Sequence, residues 1–235
     1  MNIGLEKYRY YFETILENPV FENVPSASIE NLLKITQSKT CERSTCLLDT
    51  HEISHFFFFV ISGKVKAYIY DPETDRQLTL ALLSKNDLFD LNSLFGGFTH
   101  KVYYETLEHT ETLCIPVPLM KSWLKQNPCI QPALINLLVK QLHALQNSVA
   151  NIVMDDIGTR LAKLLYTHMD IKTGKIHLID NLSHDELAAL IGTTRSVVNR
   201  QLQVFRDNGI IEMGRKRIRV SNTNGLKAEL DKSNR

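Results

Sequence analysis

The sequence has few cysteines, a single tryptophan, no long apolar run and no large excess of charge of either sign. Its cysteines, Cys41, Cys46, Cys114 and Cys129, are scattered and form no C-x-x-C pair, which argues against a disulfide framework or a metal cluster. We expect them to be reduced and mostly buried. No apolar run approaches the ~20 residues that span a bilayer, and the N-terminus carries acids and tyrosines where a secretory signal needs an apolar stretch. We therefore expect a soluble cytoplasmic protein with no membrane partner.

Length and charge distribution suggest two domains of different character. With 43% hydrophobic residues, a chain of 235 residues can bury two modest cores without a metal or a disulfide. The net charge is +1, but residues 181–235 contain 10 Lys and Arg against 6 Asp and Glu, whereas residues 1–180 contain 17 against 20. A basic C-terminal segment is expected where a chain contacts a polyanion, although a solvated surface produces the same asymmetry.

The N-terminal half changes from helical to β-rich patterning. Residues 5–35 predict short helices that are broken at Pro19 and Pro25. From about Lys39 to Pro118, short β-rich runs recur at roughly 8–12 residue spacing, which indicates an antiparallel sandwich or barrel. The predicted strands are CLLD (46–49), FFFFVI (56–61), KVKAYIY (64–70), QLTLALL (77–83), KVYYETL (101–107) and ETLCIPV (111–117).

From Gln131 the apolar spacing becomes helical. One stripe steps by 3, 4, 3, 4 and 3 residues, which is the a/d pattern of a two-helix seam. Its members are Ile135, Leu138, Leu142, Leu145, Val149 and Ile152. Such a stripe more often packs within its own domain, so an internal face and a homodimer seam both stay open at this point. Residues 155–170 then predict another amphipathic helix, and KTGKIHLI (172–179) predicts a strand.

The segment that follows has the pattern of two short helices joined by a glycine turn. Ser183 and Glu186 form a capping box, S-x-x-E, which starts the first helix, and Gly192 ends it. Thr194 is well placed to cap the second helix, which stops at Asn208-Gly209. The apolar face of the second helix consists of Val197, Val198, Leu202 and Phe205. Together the two helices predict a helix-turn-helix unit.

The second helix leaves a polar face that can enter a major groove. Arg can chelate guanine O6 and N7, Asn can pair with adenine, and Ser is a more permissive contact. The run IIEMGRKRIRV (210–220) predicts a β-hairpin wing that turns at Gly214-Arg215. The candidate DNA-binding residues are Thr194, Arg195, Ser196, Asn199, Arg200 and Gln203 on the helix and Arg215, Lys216, Arg217 and Arg219 on the wing. A solvated polar face is the alternative, but the order of capping box, glycine turn, polar face and basic wing favours DNA binding.

The stretch LSHDELAALIGTTRSVVNRQLQVFRDNGIIE resembles the helix-turn-helix of the Crp–Fnr family of bacterial transcription regulators. The family pattern, roughly L-x-x-x-E-L-A-x-x-x-G-x-[ST]-R-x-x-V-x-R-x-L, is met at Leu182, Glu186, Leu187, Ala188, Gly192, Thr194, Arg195, Val198, Arg200 and Leu202. Upstream, residues 56–96 resemble the family's cyclic-nucleotide-binding-type β-roll, with Gly63 at the usual strand turn. The stripe at 135–152 falls where the family keeps its dimer helix.

The resemblance implies an α+β chain with three parts. These are a jelly-roll-like antiparallel β-roll sensor domain with N-terminal helices (1–130), a dimerisation helix (131–155) and a winged helix-turn-helix domain (156–235). It also implies a homodimer on near-palindromic double-stranded DNA, with recognition helices about one turn, ~34 Å, apart, and RNA polymerase as a partner. Many members have Glu directly after the first Arg of the recognition helix, where this chain has Ser196. Arg200 is therefore the best candidate for a guanine contact, and the half-site stays open.

The sensor domain departs from the members that bind cyclic AMP. Those members usually have Gly-Glu for the ribose and Arg-Ser or Arg-Thr for the cyclic phosphate, whereas here Leu91 cannot accept a ribose hydroxyl and Lys101 is a point charge in place of a bidentate fork. We expect an effector other than cyclic AMP, or an effector-independent regulator of the same fold. The candidate effector-pocket residues are Leu91, Asn92, His100, Lys101 and Val102.

No cofactor is predicted. Cys41 and Cys46 lack the spacing of the family's iron–sulfur sensors and are more simply a pair of buried thiols. Haem or another small effector stays open because the chain has eight histidines, although none of them stands out as an axial ligand. A sensor that has lost DNA binding is also an alternative, but the intact Thr194, Arg195 and Arg200 argue against it.

One motif belongs to a different class of protein. The segment from His51 to His55 satisfies H-E-x-x-H, in which two helical histidines bind zinc and Glu52 would act as base. That chemistry requires a helix, whereas this segment runs directly into the strand-like Phe56-Phe57 run. We therefore expect a hairpin turn here, no metal site and no enzyme, with a zinc metalloenzyme as the remote alternative.

Overall fold

The computed structural model of the chain describes residues 5–47, 55–95, 102–214 and 217–234. These residues fall into two units: an N-terminal unit, Met1–Tyr68 with Ala81–Ala144, and a C-terminal unit, Ile69–Leu80 with Leu145–Arg235. The predicted domain boundaries after residues 130 and 155 stay predictions. Within the described ranges, no helix is both long enough and apolar enough to cross a membrane.

In the first part of the chain, two helices and a 3-10 turn precede a run of strands that one short helix interrupts. In order, they are α1 (Leu5–Leu16), a 3-10 turn (Pro19–Phe21), α2 (Ser26–Lys34), β1 (Gln37–Cys41), β2 (Phe56–Ser62), β3 (Val65–Asp71), β4 (Arg76–Leu83), β5 (Leu88–Phe89), α3 (Leu91–Phe95), β6 (Tyr103–Thr106) and β7 (Thr110–Pro116). The described strands form one sheet in the order β1-β7-β2-β5 and another in the order β4-β3-β6. The predicted antiparallel β domain is confirmed.

Strand β2 is apolar from Phe56 to Ile61 because both of its faces are buried. It lies between β7 and β5, with Phe59 opposite Leu113 and Leu88. Alternate side chains therefore belong to two cores. Phe57, Phe59 and Ile61 join a core with the helices, and Phe58 and Val60 join a core with residues of the other sheet. A continuous apolar run bounded by turns is the pattern expected of such a strand.

Gly63 turns the chain from β2 into β3, at the position that the sequence predicts. Its φ is +87°, and a Cβ there would lie 2.5 Å from the carbonyl oxygen of His109. Since both the positive φ and the lack of space for a Cβ disfavour any side chain, this turn requires glycine.

Two parts of the N-terminal unit differ from the sequence-based prediction. Strand β1, QSKTC, is polar and pairs with β7, so its residues gave no apolar alternation to detect. The prediction of a strand at 46–49 is wrong for Cys46 and Leu47, the two of these residues that the structure describes. Cys46 makes a single bridge with Glu105, Leu47 lies in a bend, and residues 48 and 49 lie outside the description. The positive φ of Ser44, 60°, turns the chain just before this point.

The cysteines are also less buried than predicted. Cys41 and Cys114 are buried, but Cys46 and Cys129 are exposed. The interpretation of Cys41 and Cys46 as a pair of buried thiols is therefore wrong. The bend at Leu47 places Cys46 at the surface, while Cys41 lies in the core between the sheets.

Helices connect the β-rich region to the C-terminal unit. Helix α4 (Val117–Gln126) and a 3-10 turn (Pro128–Ile130) precede the 24-residue helix α5 (Gln131–Met154). Helix α4 was not predicted, and it packs Met120 and Trp123 into the core with α1 and α2. The onset of helix at Gln131 is confirmed.

The C-terminal unit is mostly helical. It contains α6 (Ile157–His168), α7 (His184–Leu190), α8 (Arg195–Asp207), β8 (Ile211–Gly214), β9 (Arg217–Val220), α9 (Thr223–Leu230) and a 3-10 turn (Asp231–Asn234). Asp156 caps α6 by accepting a hydrogen bond from the backbone N–H of Thr159 at 2.7 Å. Leu161, Leu165, Leu187, Leu202 and Phe205 are among the buried side chains of this unit. The predicted α+β fold with a C-terminal winged helix-turn-helix is confirmed.

The strand predicted at residues 172–179 is wrong. Only two isolated bridges form, Met169 with Ile176 and Lys175 with Arg219. The Asp170 carboxylate accepts hydrogen bonds from the backbone N–H groups of Lys172 and Thr173, at 2.9 and 2.7 Å, and Gly174 has a φ of +66°. This Asx turn bends the chain before a ladder can extend.

Candidate nucleic-acid interface

Helix α7 begins with the predicted capping box. The Ser183 hydroxyl accepts from the backbone N–H of Glu186 at 3.2 Å, and the Glu186 carboxylate accepts from the backbone N–H of Ser183 at 2.5 Å. These bonds satisfy two backbone donors that the first helical turn otherwise leaves without partners. The helix packs Leu187, Ala188 and Ala189 inward. Its first turn is therefore held in a defined position.

Gly192 makes the turn between α7 and α8. Its φ is +65°, and the N–H of Thr193 donates to the Ala188 carbonyl at 3.0 Å. Thr194 occupies the N-cap position of α8, as predicted, but its side chain makes no capping bond, because its hydroxyl lies 3.0 Å from that of Ser196. The predicted role of Thr194 as a side-chain cap is therefore wrong.

The apolar face of α8 anchors the helix in the unit. Val198, Leu202 and Phe205 are completely buried, and Val197 is half-buried. The helix stops at Asn208, followed by Gly209 with a φ of +67°. The predicted helix, its apolar face and its end are confirmed, and α8 is the second helix of the helix-turn-helix.

The opposite face of α8 is polar and accessible. Ser196, Arg200 and Gln203 are exposed, and Asn199 is half-buried. These four side chains share one side of the helix because they are three or four residues apart. Arg200 is the strongest donor among them, with a guanidinium that can chelate two acceptors on one base.

Two residues in the first turn of α7 contact polar side chains of α8. Asp185 accepts a charged hydrogen bond from the exposed Arg195 at 3.2 Å. Nδ1 of His184 is hydrogen-bonded to Oδ1 of Asn199. Sequence reasoning missed both contacts, because no spacing rule relates side chains on two separate helices.

Arg160 stabilises the turn between α7 and α8 through two hydrogen bonds to backbone carbonyl oxygens. Its guanidinium donates to the carbonyl oxygens of Asp155 and Ile191, each at 3.0 Å. Asp155 precedes α6, and Ile191 is the C-cap residue of α7. One side chain therefore ties the start of α6 to the helix-turn-helix. The sequence gave no sign of this contact.

The predicted wing is present as strands β8 and β9. They pair in antiparallel register from Ile211–Val220 to Gly214–Arg217. Arg217 is exposed. Arg219 lies 4.0 Å from the Glu212 carboxylate and also donates to the Thr173 carbonyl at 3.2 Å. Arg215 and Lys216 lie outside the described residues.

The predicted dimer stripe lies along α5 and is largely accessible in the single chain. Ile135, Leu142, Leu145 and Val149 have exposed fractions of 56, 54, 40 and 61%. Leu138 is partly buried against the core of the N-terminal unit, and Ile152 is partly buried in the C-terminal unit. A row of large apolar side chains at this exposure is expected to be covered by a partner.

The candidate effector-pocket residues are described only in part. Leu91 is buried in the core that contains the helices, and Val102 packs partly against the core between the sheets. Nearby, Phe89 stacks on Phe58 and packs at an interplanar angle of 32° against Tyr104, with both centroid distances 4.7 Å. Burial raises the pKa of Tyr104. The side chain of Asn92 and all of His100 and Lys101 lie outside the described residues.

The zinc-motif segment is also described only at its end. Residues 51–54 lie outside the description, and His55 lies in a turn directly before β2. The His55 carbonyl accepts from the backbone N–H of Val117 at 2.8 Å, which ties this turn to the start of α4. Among the described residues, no group of three or more His, Cys, Asp or Glu side chains is arranged to hold a metal.

Comparison with known families assigns the two halves of the chain. Residues 39–127 match the cyclic nucleotide-binding domain, and residues 159–229 match the Crp-like helix-turn-helix domain. The first match begins within β1 and covers β2–β7, and the second covers the helix-turn-helix and the wing. Relatives that match across both regions are transcription regulators. The chain belongs to the Crp–Fnr family of transcription regulators and is not an enzyme.

Individual relatives have the same organisation. The chain is 25% identical over 218 residues to a CRP-like cAMP-activated global transcriptional regulator of Mycobacterium tuberculosis, covering 91% of this chain and 97% of the relative. It is 27% identical over 189 residues to the global nitrogen regulator of a Nostoc species, covering 77% and 84%. A Crp/Fnr-family putative regulator from Eubacterium rectale has the same fold, with a TM-score of 0.72 at 19% identity over 90% of this chain and 97% of that one.

Proposed function

We propose that the chain acts as a homodimer that binds near-palindromic duplex DNA sequence-specifically and regulates transcription. The observation that carries the proposal is the polar face of α8, in which Ser196, Arg200 and Gln203 are exposed, while Val198, Leu202 and Phe205 on the opposite face are completely buried. A helix anchored in this way presents the same side chains to every duplex. Arg and Asn at such positions distinguish base edges in the major groove.

The exposed stripe on α5 supports pairing of two chains. Leu142, Leu145 and Val149 are each 40% or more exposed, and they follow the a/d spacing. Pairing along this stripe would relate two α8 helices by a two-fold axis. Recognition helices in such dimers lie about one duplex turn, ~34 Å, apart, which matches a near-palindromic site. RNA polymerase would then be the partner of the bound dimer.

The regulatory site is proposed to lie in the N-terminal unit, near Leu91 and Val102, and to take a small effector other than cyclic AMP. The buried hydrocarbon side chain of Leu91 offers no acceptor for a ribose hydroxyl. A second candidate is an effector-independent regulator. It is favoured by the contacting rings of Phe58, Phe89 and Tyr104, which fill space in the core between the two sheets.

Selection of duplexes from a random pool tests the proposal. The full chain is incubated with the pool at low salt, alone, with cyclic AMP and with cell extract, and bound duplexes are sequenced. We expect an inverted repeat whose half-sites are centred about one helical turn apart, ~34 Å. Enrichment without additions favours the effector-independent form, and enrichment only with extract favours an effector. Absence of enrichment under every condition contradicts the function.

A further inference from the structure

Helix α7 holds one of the polar side chains that α8 would present to DNA. His184, the first residue of α7, is hydrogen-bonded through Nδ1 to Oδ1 of Asn199, and both residues are half-buried. The neighbouring pair of Asp185 with Arg195 is exposed at both ends, so it contributes little to the position of Arg195. Ser196, Arg200 and Gln203 lie on the exposed part of the same face.

The chemistry of this contact fixes which atoms of Asn199 are left for DNA. A carbonyl Oδ1 carries no hydrogen, so the hydrogen must lie on Nδ1 of His184. One of the two lone pairs of the Asn199 oxygen is then engaged by His184, whereas the Nδ2 group keeps both of its N–H donors. Asn pairs with adenine by accepting from N6 and donating to N7 at the same time. With its oxygen held by His184, Asn199 is biased towards positions that offer acceptors only.

The anchoring of His184 allows it to impose this bias. Its helix starts at the capping box of Ser183 and Glu186, and the next turn is buried through Leu187 and Ala188. An imidazole on such a helix end keeps a fixed direction, whereas a long, exposed side chain would not. The partly buried position also limits competition from water for the Asn199 oxygen.

We propose that His184 is a positioning residue for Asn199, which makes Asn199 a hydrogen-bond donor and sets the preference for guanine over adenine at one base pair of each half-site. Guanine offers N7 and O6 as acceptors in the major groove, whereas adenine offers N7 beside the N6 donor. The inference rests on the proposed function, because it requires the Asn199 side of α8 to face base edges.

A double-mutant cycle tests the proposal on the full chain. Duplexes selected by the wild-type chain are compared with versions that carry guanine or adenine at each half-site position, at one fixed salt concentration. His184→Ala should lower the guanine preference at one symmetric position about tenfold, which is the order of a single base-edge contact. In an Asn199→Ala background the same change should have no further effect. His177→Ala, which removes an exposed imidazole outside the two helices, is the matched control and should change nothing.

Two further measurements separate positioning from a structural role. His184→Gln keeps an N–H donor and should retain most of the guanine preference. In the free protein, the side-chain amide resonances of Asn199 in a ¹⁵N correlation spectrum should shift in His184→Ala, whose melting temperature is measured alongside. Unmoved resonances would overturn the proposal without any use of DNA.

The DNA outcomes distinguish this inference from the function on which it rests. An equal effect of His184→Ala in both backgrounds would mean that His184 contacts DNA itself, and the proposal would be wrong. Unchanged preferences in His184→Ala on a wild-type site would overturn this inference alone. A wild-type chain that enriches no duplex would overturn the proposed function and this inference together.

Discussion

Single residues of α8 divide into those that hold the helix and those that are left accessible. Val198, Leu202 and Phe205 are completely buried, whereas Arg200 and Gln203 are exposed. The buried residues fix the direction of the helix, and the exposed ones carry the contacts that we assign to DNA. Substitutions of the exposed residues should therefore change DNA binding without a large change in the stability of the fold.

Arg200→Ala should weaken binding to the selected site by ~1–3 kcal/mol and relax the preference at one base pair, while much of the non-specific binding remains. The reason is that a guanidinium pairs with guanine O6 and N7, whereas non-specific binding depends on the total positive charge. Titration of specific and random duplexes at several salt concentrations measures both effects.

Arg206→Ala is the matched control for this prediction. It removes the same group from the last turn of α8, where Arg206 is paired with Asp207 at 3.1 Å. Its base preferences should match those of the wild type. An unchanged preference in Arg200→Ala, or an equal change in both variants, would contradict the role given to Arg200.

At the residue scale, the sequence predicted positions better than it predicted contacts. The capping box and the buried face of α8 follow from local rules of spacing, and both are present. The capping bond expected from Thr194 is absent, because its hydroxyl turns towards Ser196. The contact of His184 with Asn199 depends on the angle between two helices, which no local rule supplies.

At the scale of elements, helix α5 carries an exposed apolar stripe that a second chain would cover. Folded proteins seldom leave large apolar side chains such as Ile135, Leu142 and Val149 half exposed on one helix unless a partner covers them. An a/d stripe buried against a symmetric copy would cover them. Full burial of one Leu side chain stabilises a folded or associated state by about 1.5–3 kcal/mol, and each of the two copies would bury its own stripe.

Leu145→Asp should therefore leave the chain mainly monomeric and weaken operator binding. A carboxylate at the centre of the stripe would lose its water without gaining a partner, which costs more than the lost apolar contact. Sedimentation velocity across a range of concentrations measures the association. Leu119→Asp, at a leucine of α4 that is 45% exposed, is the matched control and should stay associated. A stable dimer in Leu145→Asp would contradict pairing along the stripe.

Elements with strong periodicity were predictable, and elements set by local turns were not. Strand β2 and helix α5 carry unbroken apolar patterns and lie where the sequence indicates. The sequence at 172–179 predicts a strand, but the turn at Asp170 and the positive φ of Gly174 bend the chain there. Strand β1 is polar, and its place in the sheet comes from pairing with β7, whose paired residues are 69 to 77 positions away in the chain.

For the whole molecule, family membership and the local geometry of α8 lead to the same function. The domain models identify a regulator, and the structure supplies an anchored helix with an accessible polar face. The base preference at each position could not be predicted from the sequence, because it depends on groups such as His184 that orient the exposed side chains. The identity of any effector could not be predicted from the sequence either, because it depends on how the N-terminal unit packs around a ligand.

The proposed function requires a symmetric pair of chains that presents α8 to one duplex twice. Sedimentation equilibrium of the full chain at saturating concentration on the selected duplex gives the mass of the complex and therefore its stoichiometry. We expect two chains per duplex, and much weaker binding to a duplex that carries one half-site. A complex of one chain per duplex, with equal affinity for the half-site and the full site, would show that α8 is not presented by a symmetric pair.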